Sequence, residues 1–180
     1  ANSNTNVAML GESFKYAAPV AGSLGYSVED TAIALGLMAS SGLKSSMAGS
    51  SLRTILTNLA KPTDDISDAM DYLGISLQNG DGSMKSLMDI VTDLRGAFGQ
   101  CKMPMDQFQE NLAKLDEKYA NGELTEKKYN EALADLTEKA YGAEGALKAK
   151  YAATLAGKEG MSGLLSIVSA APEDFDKLTN

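Results

Sequence analysis

The 180-residue chain contains no His, no Trp and a single Cys, and these absences exclude several kinds of functional site. Without His there is no His-based metal site, no catalytic triad that depends on His and no histidine general base. One cysteine, Cys101, cannot form an internal disulfide, and it is too little for a zinc or iron–sulfur cluster. We interpret Cys101 as an incidental thiol in a loop, and we expect no metal and no cofactor.

Basic residues and long apolar runs are also scarce. The 16 Lys and Arg residues are outnumbered by 24 Asp and Glu residues, which gives a formal net charge of −8. Nucleic-acid binding draws most of its affinity from Lys and Arg beside phosphates, so we expect no specific nucleic-acid binding. The apolar run 31–39 is too short to span a bilayer. The polar start, 1–6, lacks the pattern of a secretory signal, and we expect the chain to be a piece of a longer protein.

The residues that are present form helical periods separated by stop signals. Apolar side chains recur at steps of three and four, and Pro19, Gly42, Pro62 and Gly74 stand where these patterns end. The pattern predicts helices over these segments: 7–18, 27–42, 45–60, 64–73 and 87–98. Pro172 is expected to start a last short helix.

Between 75 and 84 the apolar period changes from helical spacing to alternation around the turn residues Asn79 to Ser83. This change predicts a small β-hairpin. The same turn partly matches an EF-hand calcium loop. However, aligning it with such a loop places Leu77 and Met88 at ligand positions, so we favour a plain turn over a calcium site.

The segment from 102 to 149 is poor in Gly and rich in Glu and Lys. Two apolar stripes, ending at Tyr119 and beginning at Tyr129, flank a turn in which Thr125 is a predicted helix N-cap. These features predict an antiparallel helical hairpin that is charged outside and apolar along one seam. Lys139, Lys148 and Lys150 come nearest to a basic patch, and we interpret them as part of a solvated helix face.

Two pairs of carboxylates are candidates for the acid and base of a glycosidase: Asp64 with Asp65, and Glu110 with Asp116. Their spacing does not place either pair across a cleft. We interpret the first pair as the start of a helix, where negative charge is favourable, and the second as part of a solvated helix face. We therefore expect no catalytic residue and no enzymatic activity.

The nine methionines mostly fall at core positions of the predicted helices, so we expect them to pack in the core rather than line a binding groove. The exception is the segment 103–105, which lies at a predicted junction between helices and is expected to be exposed. Small residues at four-residue steps, Gly36 with Ser40 and Ala153 with Gly157, predict close contacts between helices.

Six stretches in a fixed order resemble the core region of phage tail tape measure proteins, which also occur in prophages. They are Glu12–Pro19, Gly25–Ala39, Leu52–Ala60 with Pro62, Leu73–Ser76 with Gly82, Leu94–Arg95 and Leu155–Leu165. The resemblance covers most of 4–100 and 151–179. The intervening hairpin departs from the family's pattern and resembles helical-hairpin modules at the ends of many bacterial proteins.

The resemblance implies a structural virion protein that sets tail length during assembly, is packed in the tail tube and leaves it ahead of or with the DNA. The partners implied are tail tube, tail-tip and tail assembly chaperone proteins, with self-association in the tail. It also implies a location in the virion tail, and in the bacterial cytoplasm during assembly.

Taken together, the sequence predicts a mainly α fold: a compact multi-helix domain with one small β-hairpin and a protruding antiparallel helical hairpin. The predicted domains are a core formed by 1–101 and 150–180 and an inserted hairpin, 102–149. Pro and Gly residues prevent one continuous rod, so this piece is not itself the ruler. The alternatives are a non-enzymatic helical protein-interaction domain of a bacterial protein and a fragment of a wall-degrading enzyme.

Overall fold

A computed structural model of the chain describes residues 7–40, 43, 45–99, 102–142, 144–170 and 176–178. The regular elements in these ranges are all helices, which confirms the prediction of a mainly α fold. In chain order they are α1 Val7–Ser23, α2 Val28–Ser40, α3 Ser45–Ala60, α4 Asp64–Leu73, α5 Leu87–Phe98, α6 Met105–Ala120, α7 Glu126–Tyr141 and α8 Gly145–Val168. Residues 176–178 add one helical turn.

Hydroxyl side chains mark the beginnings of four helices. Ser27, Thr63 and Thr125 each accept a hydrogen bond from a backbone N–H in the first turn of α2, α4 and α7. Ser86 and Asp89 form a reciprocal capping box at the start of α5. These bonds use backbone donors that have no partner inside the helix, so the sequence itself fixes where the helices begin.

The first helix runs further than predicted. Pro19 lies inside α1, which continues to Ser23 instead of ending at Ala18. Proline removes the hydrogen bond to the carbonyl four residues earlier, which belongs to Lys15. Both Pro19 and Lys15 are exposed, so water can bind that carbonyl and the helix continues past the proline.

The predicted β-hairpin between 75 and 84 is wrong. One isolated antiparallel bridge joins Gln78 to Met84, and no strand forms in the part of the chain that the structure describes. The loop is short and both of its ends are used by helix caps, because the Ile75 N–H bonds back to α4 and Ser86 caps α5. The Ser76 hydroxyl also accepts from the Gln78 N–H, so local bonds replace a strand ladder.

The eight helices are arranged around α8, which contacts α2, α3, α4, α5, α6 and α7. Helix α1 packs on α2 and α3, and α6 and α7 form an antiparallel pair joined by a turn at 121–125. Within the described ranges, no helix is both long and apolar enough to cross a membrane. The division into a core and an inserted hairpin stays a prediction. Gly42, Cys101, Pro172 and Phe175 lie outside the described residues.

Candidate functional site

The centre of the molecule is the second half of α8, residues 160–170, in which every residue is buried. A helix that is apolar on all sides requires neighbours on all sides, and the surrounding helices supply them. Much of this segment belongs to the stretch Leu155–Leu165 that carries the family resemblance. We call residues 160–170 the buried half of α8.

The serines of the buried half are satisfied without water. Ser166 and Ser169 donate to the carbonyls of Ser162 and Leu165, one turn earlier on the same helix. Ser162 instead donates across a helix interface to Asp116. Buried hydroxyls are costly unless they are hydrogen-bonded, so these bonds allow a serine-containing helix to occupy the core.

Helix α3 approaches both of its main neighbours at glycine residues. A Cβ added to Gly163 of α8 would lie 2.4 Å from the Ser51 Cβ, and one added to Gly49 would lie 2.3 Å from the Ser13 carbonyl oxygen. Gly is required where two helix backbones come this close. These approaches fall at glycines other than the predicted ones. At the predicted positions a Cβ would have more room: one at Gly36 would lie 3.3 Å from the Leu178 side chain, and one at Gly157 would lie 3.4 Å from the Thr54 side chain.

Helix α8 bends at Gly157, whose φ of 68° and ψ of 173° are not helical. The bend leaves nearby carbonyls without helical partners, and the Asn58 Nδ2 of α3 donates to the Leu155 carbonyl at 2.9 Å. Gly has the freedom to adopt this positive φ. Two α3 side chains hold the bend, because Thr54 also lies against Gly157.

Arg95 of α5 caps the far end of α8. Its Nη1 donates to the carbonyls of Ile167 and Ala170, at 3.0 and 2.9 Å. Burial lowers the pKa of Arg95, although a guanidinium stays protonated in proteins. Arg95 is part of the Leu94–Arg95 resemblance, and the structure gives it the role of a cation at a helix C-terminus.

A buried polar cluster joins three helices at Asp116. The Tyr129 Oη of α7 donates to Asp116 Oδ1 at 2.5 Å, and the Ser162 Oγ of α8 donates to Asp116 Oδ2 at 2.6 Å. Asp116 is 8% exposed. Desolvation raises the pKa of Asp116, and the hydrogen bonds from Ser162 and Tyr129 act in the opposite direction. Burial also raises the pKa of Tyr129. We call these three residues the Asp116 cluster.

The interpretation of Asp116 as part of a solvated helix face is therefore wrong. Phe108, Leu112 and Asp116 follow one another at four-residue steps, so Asp116 continues the buried stripe of α6. That spacing is the signal that sequence reasoning missed. Glu110 is exposed and forms an ion pair with Lys114, so the two carboxylates of this candidate pair lie on different faces.

The other candidate residues serve local structure. Asp64 and Asp65 are exposed at the start of α4, where Thr63 is the N-cap. In the turn from Asn79 to Ser83, which partly matches a calcium loop, Asp81 accepts hydrogen bonds from the side chain and backbone of Ser83. These bonds lower the pKa of Asp81. Within the described ranges there is no group of three or more His, Cys, Asp and Glu residues that could hold a metal ion.

The methionines and lysines divide between core and surface. Met38 and Met161 are buried, as predicted for the core, whereas Met9 and Met84 are exposed. The predicted exposure at 103–105 is tested only at Met103, which is partly buried against the core. Of the three lysines assigned to a solvated face, Lys139 and Lys150 are exposed, whereas Lys148 is half-buried. Lys139 forms an ion pair with Asp135, and the Lys148 Nζ donates to the Phe98 carbonyl.

Comparison with known proteins identifies similar sequences. The sequence model of the phage-related minor tail protein family matches residues 1–115. The chain is 32% identical over all 180 of its residues to the tape measure protein of Pneumococcus phage Dp-1. It is 30% identical over 103 residues, 57% of its length, to the probable tape measure protein of Escherichia phage P2.

The matched regions are small parts of those relatives. The alignments cover 12% of the Dp-1 protein and 13% of the P2 protein. No solved structure matches the chain at a significant level. The match over residues 1–115 includes α1 to α5 and the start of the hairpin up to Leu115. On this evidence the chain belongs to the phage-related minor tail protein family.

Proposed function

We propose that this chain is a folded, non-enzymatic structural module of a phage tail tape measure protein, acting in tail length determination and tail assembly. The observation that carries the proposal is the similarity to the Dp-1 tape measure protein along the whole chain. The second relative, from phage P2, carries a related name. Membership of the family alone supports a role as a tail protein. The similarity to these two relatives favours the role of a tape measure protein over that of other tail proteins.

The fold favours a particular contribution to tail length. An α-helix gains about 1.5 Å per residue along its axis, so a ruler works best as an extended helix. Here the helices pack around α8 instead, and the chain adds a compact body rather than length. We infer that the residues that measure the tail lie elsewhere in the full-length protein and that this module is attached to them.

The proposed partners are tail tube, tail-tip and tail assembly chaperone proteins, together with other copies of the same protein. The proposed locations are the virion tail and, during assembly, the bacterial cytoplasm. A role in DNA ejection is a further part of the proposal. It follows from a position inside the tube, since a protein that fills the tube has to leave before DNA can pass.

A deletion within the full-length protein tests whether this piece measures length. Removing residues 102–149 is expected to leave tail length unchanged in electron micrographs. Removing the same number of residues from a continuous helical part of the same protein should shorten the tail by about 70 Å. Shortening of that size after the 102–149 deletion would contradict the proposed role of this module.

Two further observations separate the proposal from its alternatives. Mass spectrometry of purified tails should detect peptides of this chain, whereas an interaction domain of an unrelated bacterial protein would be absent from them. Zymography on peptidoglycan with the 180-residue chain should show no clearing. A clear band would contradict the non-enzymatic part of the proposal and favour a wall-degrading fragment.

A further inference from the structure

The hairpin of α6 and α7 is attached to the core by two different kinds of contact. At its base, the Tyr141 ring of α7 meets Phe98 of α5 edge to face, with centroids 5.9 Å apart, and it also meets Phe108 of α6 at 6.1 Å, a contact within the hairpin itself. Farther out, the Asp116 cluster links the hairpin to the buried half of α8. We call residues 113–132 the hairpin tip, and the cluster lies at the place where this tip meets α8.

The carboxylate in the cluster has little to offset the cost of burying its charge. Its two hydrogen-bond donors, Tyr129 and Ser162, are neutral hydroxyls. Among the side chains that the structure describes, which leave out those of residues 158 and 159, no Lys or Arg forms an ion pair with Asp116. A buried charge without an opposite charge is expensive, even when it is hydrogen-bonded. The contact therefore favours the neutral form of the carboxyl.

The groups that face Asp116 come from each helix of the contact. Helix α7 contributes the Tyr129 hydroxyl and α8 contributes the Ser162 hydroxyl. On its own helix, Tyr119 stacks on the Tyr129 ring with centroids 4.4 Å apart. Among the side chains that the structure describes, Tyr129 is the ionisable group that is hydrogen-bonded to Asp116.

We propose that the hairpin tip is a releasable clasp on the buried half of α8, closed most firmly when Asp116 is protonated and loosened when it ionises. The base, held by its aromatic contacts, stays packed while the tip opens. Opening exposes Ser162 and the inner face of the tip, a local transition of the kind that native proteins undergo without unfolding. The clasp concerns this chain's own fold and does not depend on the proposed function.

The direction of the pH dependence follows from linkage. Burial raises the pKa of Asp116 in the closed state above its unfolded value. A group whose pKa is raised in the closed state stabilises that state fully at pH values below its unfolded pKa. This stabilisation is lost as the pH rises through the raised pKa of the closed state. The clasp is therefore firm in acid and looser at neutral pH. Each pKa unit of difference between the two states increases the opening equilibrium about tenfold at neutral pH.

Hydrogen exchange at individual amides, measured from pH 3.5 to pH 8 on the 180-residue chain and corrected for intrinsic rates, tests the clasp. In the wild type, the opening equilibrium of tip amides should increase with pH, while that of α3 amides stays constant. The variant Asp116→Asn keeps the shape and can keep both hydrogen bonds, since its amide can donate to Ser162. It should slow tip exchange at pH 7.5 by about tenfold per unit of pKa difference and remove the pH dependence.

Matched variants separate the clasp from general effects of charge. Glu117→Gln removes the same charge from the next residue of α6, which is exposed, and should change tip exchange less than about twofold. Tyr129→Phe removes one donor to the carboxylate, and it should speed tip exchange more at pH 7.5 than at pH 5.

Three results would overturn the proposal. The first is tip exchange in Asp116→Asn that equals or exceeds the wild-type rate at pH 7.5. The second is a change of equal size in tip and α3 amides, because the chain would then open only as one unit. The third is failure of Asp116→Asn to fold, because a neutral isostere would then be unable to replace the protonated carboxyl.

Discussion

The buried half of α8 and the hairpin tip lie against each other at Ser162 and Asp116, yet they are held in place by different interactions. The buried half is enclosed by helices on all sides and approaches α3 at Gly163, where no side chain fits. The tip turns most of its surface to solvent and meets the core through the Asp116 cluster and a few apolar side chains, among them Leu115 and Leu124.

The difference shows how stability is distributed along this chain. Contacts that depend on apolar area and on close backbone approach are insensitive to pH and are lost only when the whole core opens. A contact that depends on a buried carboxyl changes with protonation and can open alone. The same 180 residues therefore combine a rigid centre with a part that responds to its surroundings.

The largest expected effect comes from truncating the centre of the core. Leu164→Ala removes a fully buried side chain and should lower the free energy of unfolding by about 3–4 kcal/mol. The matched change in the tip, Leu124→Ala, affects a partly buried side chain and should cost about 1 kcal/mol. Urea denaturation of both variants measures the two values. Equal losses would show that tip and core do not differ.

The next effect concerns the crossing of α1 and α3. Gly49→Ala should lower the free energy of unfolding by about 2–3 kcal/mol, because its Cβ would press on the Ser13 backbone. The control Gly96→Ala has open space in α5 and should stabilise the chain by about 0.5–1 kcal/mol. Thermal melts of the two variants should shift in opposite directions; a shift of Gly49→Ala towards higher temperature contradicts the proposed packing.

A smaller effect is expected at the end of the buried half. Arg95→Met removes two hydrogen bonds from a charged donor to carbonyls of 167 and 170, and should cost about 2 kcal/mol. Arg53→Met, at an exposed position of α3, is the control and should change stability by less than about 0.5 kcal/mol. Denaturant titrations compare the two, and similar costs would contradict the capping role of Arg95.

Elements whose signals are local could be predicted from the sequence. Helix α3 begins at Ser45 and ends at Ala60, as its apolar spacing and the Lys61–Pro62 pair indicated. The Thr125 cap at the start of α7 and the end of α4 at Leu73 and Gly74 also lie where the sequence predicts them. In each case the residues that decide the structure are neighbours in the chain.

Features that depend on distant residues could not be predicted in this way. The four-residue spacing of Asp116 from Leu112 indicates a buried position, but its hydrogen-bond partner Ser162 lies 46 residues away and has no local signal. The continuation of α1 past Pro19 depends on which face of that helix is exposed. The loop after Gly74 forms only one isolated bridge, with two backbone bonds across it, from Asn79 to Ser83 and from Lys85 to Leu77, before the cap of α5 begins at Ser86.

The central claim is that this piece of a tail protein folds by itself into one compact module around α8. Small-angle X-ray scattering of the isolated 180-residue chain tests that claim most directly. A compact chain of this length should have a radius of gyration of about 16 Å. A continuous helix would instead extend about 270 Å, and a scattering profile typical of such a rod would contradict the account.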